Sequence, residues 1–127
     1  MTEPMFSTVV VGTDGSERSA IAVAHAATLA RTSGASLHLV VATKAPGSIA
    51  GLEEQVTAAR DRGVEVEMHQ AVGSPVTVVL DVAQQVGADL IVVGNRGMVG
   101  SRRLLGSVPN SLAHHARCAV MIVPTRA

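Results

Sequence analysis

The strongest constraint on the fold of this chain is a repeated change between two kinds of apolar pattern. Thr8–Val11 is a continuous run of mostly β-branched residues, which is typical of a strand covered on both faces. From Ser16 the apolar residues follow helical spacing instead, until Gly34 ends that pattern. Because the same change recurs along the chain, the sequence predicts alternating strands and helices.

The alternation can be followed from one end of the sequence to the other. The predicted strands are Thr8–Val11, Ser36–Thr43, Val64–Ala71, Asp89–Val93 and Ala119–Val123. The predicted helices begin at Ser16, Glu53, Ser74 and Ser107, and they end at Gly34, Arg62, Gly87 and Ala116. In the third strand Val64, Val66 and Met68 alternate with Glu65, Glu67 and His69, which predicts an edge strand with one solvated face.

These elements predict an α/β fold. Strands that alternate with helices are joined by right-handed parallel crossovers. We therefore expect a single doubly wound open sheet of five mainly parallel strands, in the order 3-2-1-4-5, with helices on both faces. With 127 residues and 47% hydrophobic residues, the chain is sized for one domain spanning 1–127. Ligands of such sheets bind beyond the carboxyl ends of the strands, where the strand order reverses.

Composition excludes several classes of partner. The 10 basic and 10 acidic residues cancel, so we expect no nucleic-acid backbone and no anionic membrane surface as a partner. No apolar run approaches the roughly 18 residues of a membrane span, and Met1–Ser7 lacks the pattern of a leader peptide, so we expect a cytoplasmic protein. Phe6 is the only aromatic residue, so any bound base must lie in an aliphatic slot.

Metal and thiol chemistry also receive little support from the sequence. Cys118 is the only cysteine, which excludes an internal disulfide and a cysteine-based zinc site. The five histidines show no metal-ligand spacing along the chain, and we interpret them as structural. We expect no catalytic residues and no dedicated metal-ligand set.

Two glycine-rich loops flank the expected crevice. They are Gly12–Ser16, after the first strand, and Gly94–Gly106, after the fourth. Glycines let backbone N–H groups surround a polyanion, and Ser107 at the start of the last helix adds a hydroxyl and the positive end of the helix dipole. This arrangement favours a phosphate site, although ordinary turns also use glycine. The second loop also contains Arg96, Arg102 and Arg103. Their guanidinium groups could donate hydrogen bonds to a phosphate, or they could be ordinary solvated loop residues.

The second loop also carries a family resemblance. Its Gly94, Gly97, Gly106 and Ser107 are similar to the glycine motif of ATP-binding members of the universal stress protein family. The resemblance extends over nearly the whole chain, through the segments 9–16, 87–94 and 120–124. In this chain eight residues separate Gly97 from Gly106, where the family motif has nine, and the segment between the second and third strands is shorter than in many members.

The resemblance implies a ligand and a set of site residues. The ligand would be ATP, with Mg²⁺ as its accompanying ion. Gly12, Thr13 and Asp14 would border the adenine and ribose, and Ala42 would line the base slot. The phosphate-binding loop would comprise Gly94, Asn95, Arg96, Gly97, Gly106, Ser107 and Val108.

Three functions are compatible with these features. The leading one is an ATP-binding universal stress protein with a regulatory role and slow or absent hydrolysis, since no general base for water is apparent. The second is a nucleotide-free homodimer that pairs through the apolar edge strand Ala119–Val123, and the shortened loop supports it. An ATP-consuming enzyme ranks last, because only arginines accompany the expected phosphate loop.

Overall fold

The computed structural model describes residues 5–95 and 107–125. These residues form five strands and four helices in alternation. The strands are β1 (Thr8–Gly12), β2 (Ser36–Thr43), β3 (Val66–Val72), β4 (Leu90–Gly94) and β5 (Ala119–Val123). The helices are α1 (Glu17–Ser33), α2 (Leu52–Asp61), α3 (Pro75–Val86) and α4 (Ser107–His115). Each element lies where the sequence predicted one; β2 and β5 have the predicted bounds, and the bounds of the others differ by at most two residues.

The strands form a single sheet with the order β3-β2-β1-β4-β5. All four neighbouring pairs are parallel, and Val11 of β1 pairs with Leu39 of β2 and with Val92 of β4. The predicted fold class and strand order are therefore confirmed.

Helices cover both faces of the sheet, which explains the continuous apolar runs. Val9 and Val11 belong to the core beneath α1 and α2, whereas Val10 between them belongs to the core beneath α3 and α4. All three side chains are fully buried. A strand in this position needs apolar residues in succession, because neither of its faces meets water.

The two longest helices begin and end at the residues that the sequence indicated. Ser16 accepts a hydrogen bond from the backbone N–H of Ser19 at the start of α1, and Ser74 caps α3 in the same way ahead of Pro75. Gly34 and Gly87 end these helices in the left-handed conformation, with φ of 72° and 67°.

The predicted alternation of the third strand was wrong in part. The strand begins at Val66 rather than Val64, and Met68 is 43% exposed instead of lying on a covered face. His69, expected on the solvated face, is half-buried because its ring lies against His38 of β2. Among the described strands only β2 pairs with this edge strand, so the burial of its side chains depends on cross-strand neighbours more than on alternation.

The connection between β2 and α2 packs tightly against the loop after β1. Gly15 and Gly51 both have left-handed φ, of 82° and 83°. A Cβ on Gly15 would overlap the carbonyl oxygen of Ala50, and a Cβ on Gly51 would overlap that of Gly15. Neither position can accept a side chain without moving the backbone of its neighbour.

This contact predicts unequal costs for two similar substitutions. Gly51→Ala should lower the free energy of unfolding by at least about 2 kcal/mol, because it adds overlap with a carbonyl to left-handed strain. Gly63→Ala is the control: φ there is 86°, but a Cβ would meet nothing within 4 Å. It should cost about 1 kcal/mol from conformation alone. Urea unfolding measures both, and equal costs would contradict the packing described.

Candidate functional site

The carboxyl edge of the sheet is where the course of the chain reverses. After β1 the chain continues into α1 on one face, whereas α4, which follows β4, lies on the other. Beyond β1, the N–H of Thr13 still donates to the carbonyl of Val40 at 3.0 Å. Beyond β4, the N–H of Asn95 donates to the carbonyl of Val123 at 2.8 Å. The two loops therefore leave the sheet from adjacent strands, as a switch-point crevice requires.

Most of the predicted site residues lie along this edge. Gly12, Thr13 and Asp14 follow one another out of β1, and the register places Ala42 two residues beyond the partner of Gly12 on β2. On the other side of the crevice, Gly94 ends β4 and Asn95 follows it. The structure thus brings these six residues to one edge.

The remaining predicted residues belong to the second loop and the helix after it. Ser107 is exposed at the first position of α4, and Val108 is half-buried against the core beneath α3 and α4. Because α4 connects two parallel strands, its amino end lies at the carboxyl edge of the sheet. Arg96, Gly97 and Gly106 lie outside the described residues.

Thr13 has a different surrounding from the one expected of a ligand contact. Its side chain is buried, and its hydroxyl donates to the side-chain oxygen of Gln55 at 2.6 Å. The same hydroxyl accepts from the N–H of Gly15 at 3.1 Å and lies 2.8 Å from the hydroxyl of Ser19. The Thr13 hydroxyl is therefore already engaged in holding the loop.

Gln55 of α2 is a site-shaping residue that the sequence analysis did not single out. Its side-chain nitrogen donates to the carbonyl of Ser16 at 3.0 Å, while its oxygen accepts from Thr13. A buried amide that bonds both ends of a loop fixes its shape. In the sequence Gln55 is one of two uncharged polar residues of α2, with Thr57, and neither its residue type nor its position reveals its hydrogen-bond partners.

Asp14 lies at the exposed tip of the first loop. Its carboxylate accepts a hydrogen bond from the N–H of Ser16 at 3.0 Å, forming an Asx turn. Partial burial acts to raise the pKa of Asp14, but hydrogen bonds from Ser16 and Ser19 outweigh it and leave the pKa below its ordinary value. The group is therefore ionised at neutral pH and can accept hydrogen bonds from hydroxyl groups or contribute to a metal site.

The two glycines at the strand ends have different surroundings. A Cβ on Gly94 would lie 2.9 Å from the side-chain methyl of Thr125, so this glycine permits close packing with the chain after β5. A Cβ on Gly12 would make only ordinary contacts of 3.4 Å with Val79 and Val93. Next to Gly94, the Asn95 side chain accepts from the N–H and the hydroxyl of Thr125, at 3.1 and 3.2 Å.

Among the described residues, two buried polar atoms have no hydrogen-bond partner. One is the Thr43 hydroxyl at the end of β2, directly after Ala42. The other is a guanidinium nitrogen of Arg18, in the first turn of α1. A buried polar group without a partner costs stability, and both atoms belong to elements that border the crevice loops.

The contrast between two buried threonines gives a stability test. Thr43→Val removes a hydroxyl with no partner in the described structure, so the free energy of unfolding should stay equal or rise by up to about 1 kcal/mol. Thr13→Val is the matched control, and it should lower the free energy of unfolding by about 1–3 kcal/mol because the side-chain oxygen of Gln55 loses its hydrogen-bond donor. Urea unfolding of both variants checks this, and a destabilised Thr43→Val would show that its hydroxyl is already satisfied.

The sequence profile of the universal stress protein family matches residues 5–49 and 41–124. The chain belongs to the universal stress protein family. The two matched ranges overlap at residues 41–49, which comprise the end of β2 and the start of the short connection after it. No helix in residues 5–95 and 107–125 has the length and apolar character needed to cross a membrane.

Individual relatives agree with this assignment over nearly the whole chain. The universal stress protein Rv1636 of Mycobacterium tuberculosis is 36% identical, with 94% of this chain and 97% of the relative covered. A universal stress protein crystallised in complex with cAMP is 41% identical with a TM-score of 0.84, and the match covers 95% and 98% of the two chains. The universal stress protein of Archaeoglobus fulgidus in complex with dAMP is 26% identical with a TM-score of 0.74, covering 93% and 98%.

Proposed function

We propose that this protein binds an adenine nucleotide, ATP in particular, in the crevice at the carboxyl edge of its sheet. The observation that carries the proposal is the 41% identity, over 95% of this chain, to a universal stress protein in complex with cAMP. The crevice supports it, because the switch point of a doubly wound sheet is where such folds bind ligands.

Each loop has a role in this proposal. Asp14, ionised and fixed by its Asx turn, accepts hydrogen bonds from the ribose hydroxyl groups. Ala42 lines an aliphatic slot for the base, and the small Gly12 leaves room beside it. The phosphates lie against backbone N–H groups of the loop that starts at Gly94 and against the amino end of α4, where the helix dipole favours anions.

We expect Mg²⁺ to accompany the nucleotide, because this ion is commonly held by one or two carboxylates together with phosphate oxygens and water. Among the described residues at this edge, Asp14 is an ionised carboxylate that could serve as one of its ligands. When bound, the ion would neutralise part of the phosphate charge.

The role that follows is regulatory rather than enzymatic. A nucleotide held between two loops stabilises the conformation that binds it, so its concentration can bias a conformational equilibrium. We propose slow or absent hydrolysis and a cytoplasmic setting in which ATP is the signal.

The first test is calorimetric titration of nucleotide-stripped protein with ATP, AMP and cAMP, each with and without Mg²⁺. Asp14→Asn keeps the oxygen that accepts from Ser16 but removes the charge, and it should weaken nucleotide binding by about 10- to 100-fold. Asp61→Asn is the control: it makes the same change of charge at the end of α2. Equal affinity of both variants would contradict the role of Asp14.

A second variant tests the other loop. Gly97→Val should abolish nucleotide binding while circular dichroism and thermal melting stay unchanged, because the proposed wrapping of phosphate depends on glycine. If the titration shows that the unaltered chain binds cAMP or AMP more tightly than ATP, we would attribute that preference to the shorter spacing between Gly97 and Gly106. If the unaltered chain binds no nucleotide, this proposal is wrong, and the nucleotide-free homodimer takes its place.

A homodimer through β5 is a second proposal, and it is compatible with the first. Within the described sheet β5 pairs only with β4, and its apolar residues Val120, Met121 and Ile122 are only partly buried. An apolar edge strand of this kind is commonly covered by another strand, here that of a second copy in antiparallel orientation.

If β5 forms the dimer interface, a charge placed on β5 should lower the molecular mass in solution without changing the fold of the chain. Met121→Glu should convert a dimer into monomers in analytical ultracentrifugation, because pairing would bury the added charge. Met68→Glu makes the same change on β3, at the opposite edge, and should leave the mass unaltered. Circular dichroism checks that both variants fold. A dimer that persists in Met121→Glu would place the interface elsewhere.

A further inference from the structure

A cluster of three metal-ligating side chains lies on β2 and β3, away from the crevice. His38 of β2 pairs with Glu67 of β3, and Val40 pairs with His69. Paired residues of parallel strands share a face, and residues two apart along a strand share it too. His38, Glu67 and His69 therefore project from one face of the sheet, the face that α3 and α4 cover at its centre.

The ligand atoms of the three side chains are already close together. His38 Nδ1 lies 2.9 Å from His69 Nε2, and His69 Nε2 lies 3.8 Å from a carboxylate oxygen of Glu67. One ligand atom from each residue lies within 4.8 Å of the other two. The ring centroids of the two histidines are 5.1 Å apart.

The three side chains of the cluster differ in their exposure to solvent. His38 is 8% exposed, whereas the side chains of His69 and Glu67 are 20% and 68% exposed. A buried ligand fixes the geometry of the site, and the open side leaves an entry path and room for water. A small ion could therefore enter from solvent on the side of Glu67 and be held in place by the buried His38.

We propose that His38, His69 and Glu67 form a binding site for a divalent transition metal ion of the Zn²⁺ class. Imidazole nitrogens suit zinc, copper and nickel rather than magnesium or calcium, and two histidines with one glutamate are an established zinc ligand set. His38 Nδ1, His69 Nε2 and a Glu67 oxygen supply three ligands, and water completes a tetrahedral site on the exposed side.

The distances are compatible with a small adjustment on binding. Two nitrogens that each lie about 2.0–2.1 Å from a tetrahedral zinc ion are about 3.3–3.4 Å apart. In the structure the corresponding distance is 2.9 Å, the length of a hydrogen bond between the rings. An opening of about 0.4 Å is therefore needed, and the partly exposed His69 ring can supply it by side-chain rotation.

The site is separate from the proposed nucleotide crevice. His38 is four residues before Ala42 on the same strand, which corresponds to about 13 Å along β2. The two proposals therefore stand on different residues, and each can fail without the other.

The test is a zinc titration in competition with a chromophoric chelator, together with Co²⁺ binding followed by visible absorption. The unaltered chain should bind one ion and give the intense visible bands of a tetrahedral Co²⁺ site. Since loss of groups that only orient the ligands already costs 10- to 100-fold in affinity, His69→Ala should weaken zinc binding by at least about 100-fold. Glu67→Gln should weaken it by about tenfold.

Two controls keep the outcome decisive. His115→Ala removes an exposed histidine whose ring nitrogen lies 2.9 Å from the Ser111 carbonyl, and it should leave zinc affinity unchanged. Circular dichroism and ATP titration of His69→Ala should match the unaltered chain. The proposal is overturned if no ion binds, if His69→Ala binds as tightly as the unaltered chain, or if His115→Ala is the variant that loses binding.

Discussion

The burial of β1 and β4 between two helical layers is the constraint on which the other features depend. Val10 and Val11 face opposite layers, and both are removed from water. A strand covered in this way must be followed by a helix that crosses one face or the other. Since α1 lies on one face and α4 on the other, the chain reverses between β1 and β4, and doubly wound sheets bind ligands beyond the carboxyl ends of the strands at such a reversal. The candidate site is thus a consequence of how the core is built.

The shape of the first crevice loop is held by contacts within the protein. Thr13 and Gln55 bond within the loop and across to α2, and the close contact of Gly15 with Gly51 holds the loop against the next connection. A loop organised in this way loses little conformational entropy when a ligand binds, so more of the interaction energy remains as affinity. Asp14 is the exposed charge that this framework presents.

The sequence was sufficient to predict the fold and to place several candidate residues at the carboxyl edge of the sheet. Local patterns carried the elements: Ser16, Ser74, Gly34 and Gly87 mark helix ends through their own hydrogen bonds and backbone conformations. The roles of Gln55 and of the His38–His69 pair could not be predicted, because they depend on contacts between residues 42 and 31 positions apart in sequence. Strand register determines which side chains meet, and alternation within one strand does not reveal it.

The hydrogen bonds of Asn95 couple the loop after β4 to the chain that follows the edge strand β5. Asn95 joins the chain directly after β4 to Thr125, just beyond the apolar edge strand β5. If a nucleotide binds beside Asn95 and a second copy pairs with β5, as proposed, then strand pairing and nucleotide binding act on the same few hydrogen bonds. Any free energy by which one stabilises the other must then be equal in both directions, so a nucleotide that favours assembly would bind more tightly to the assembled form.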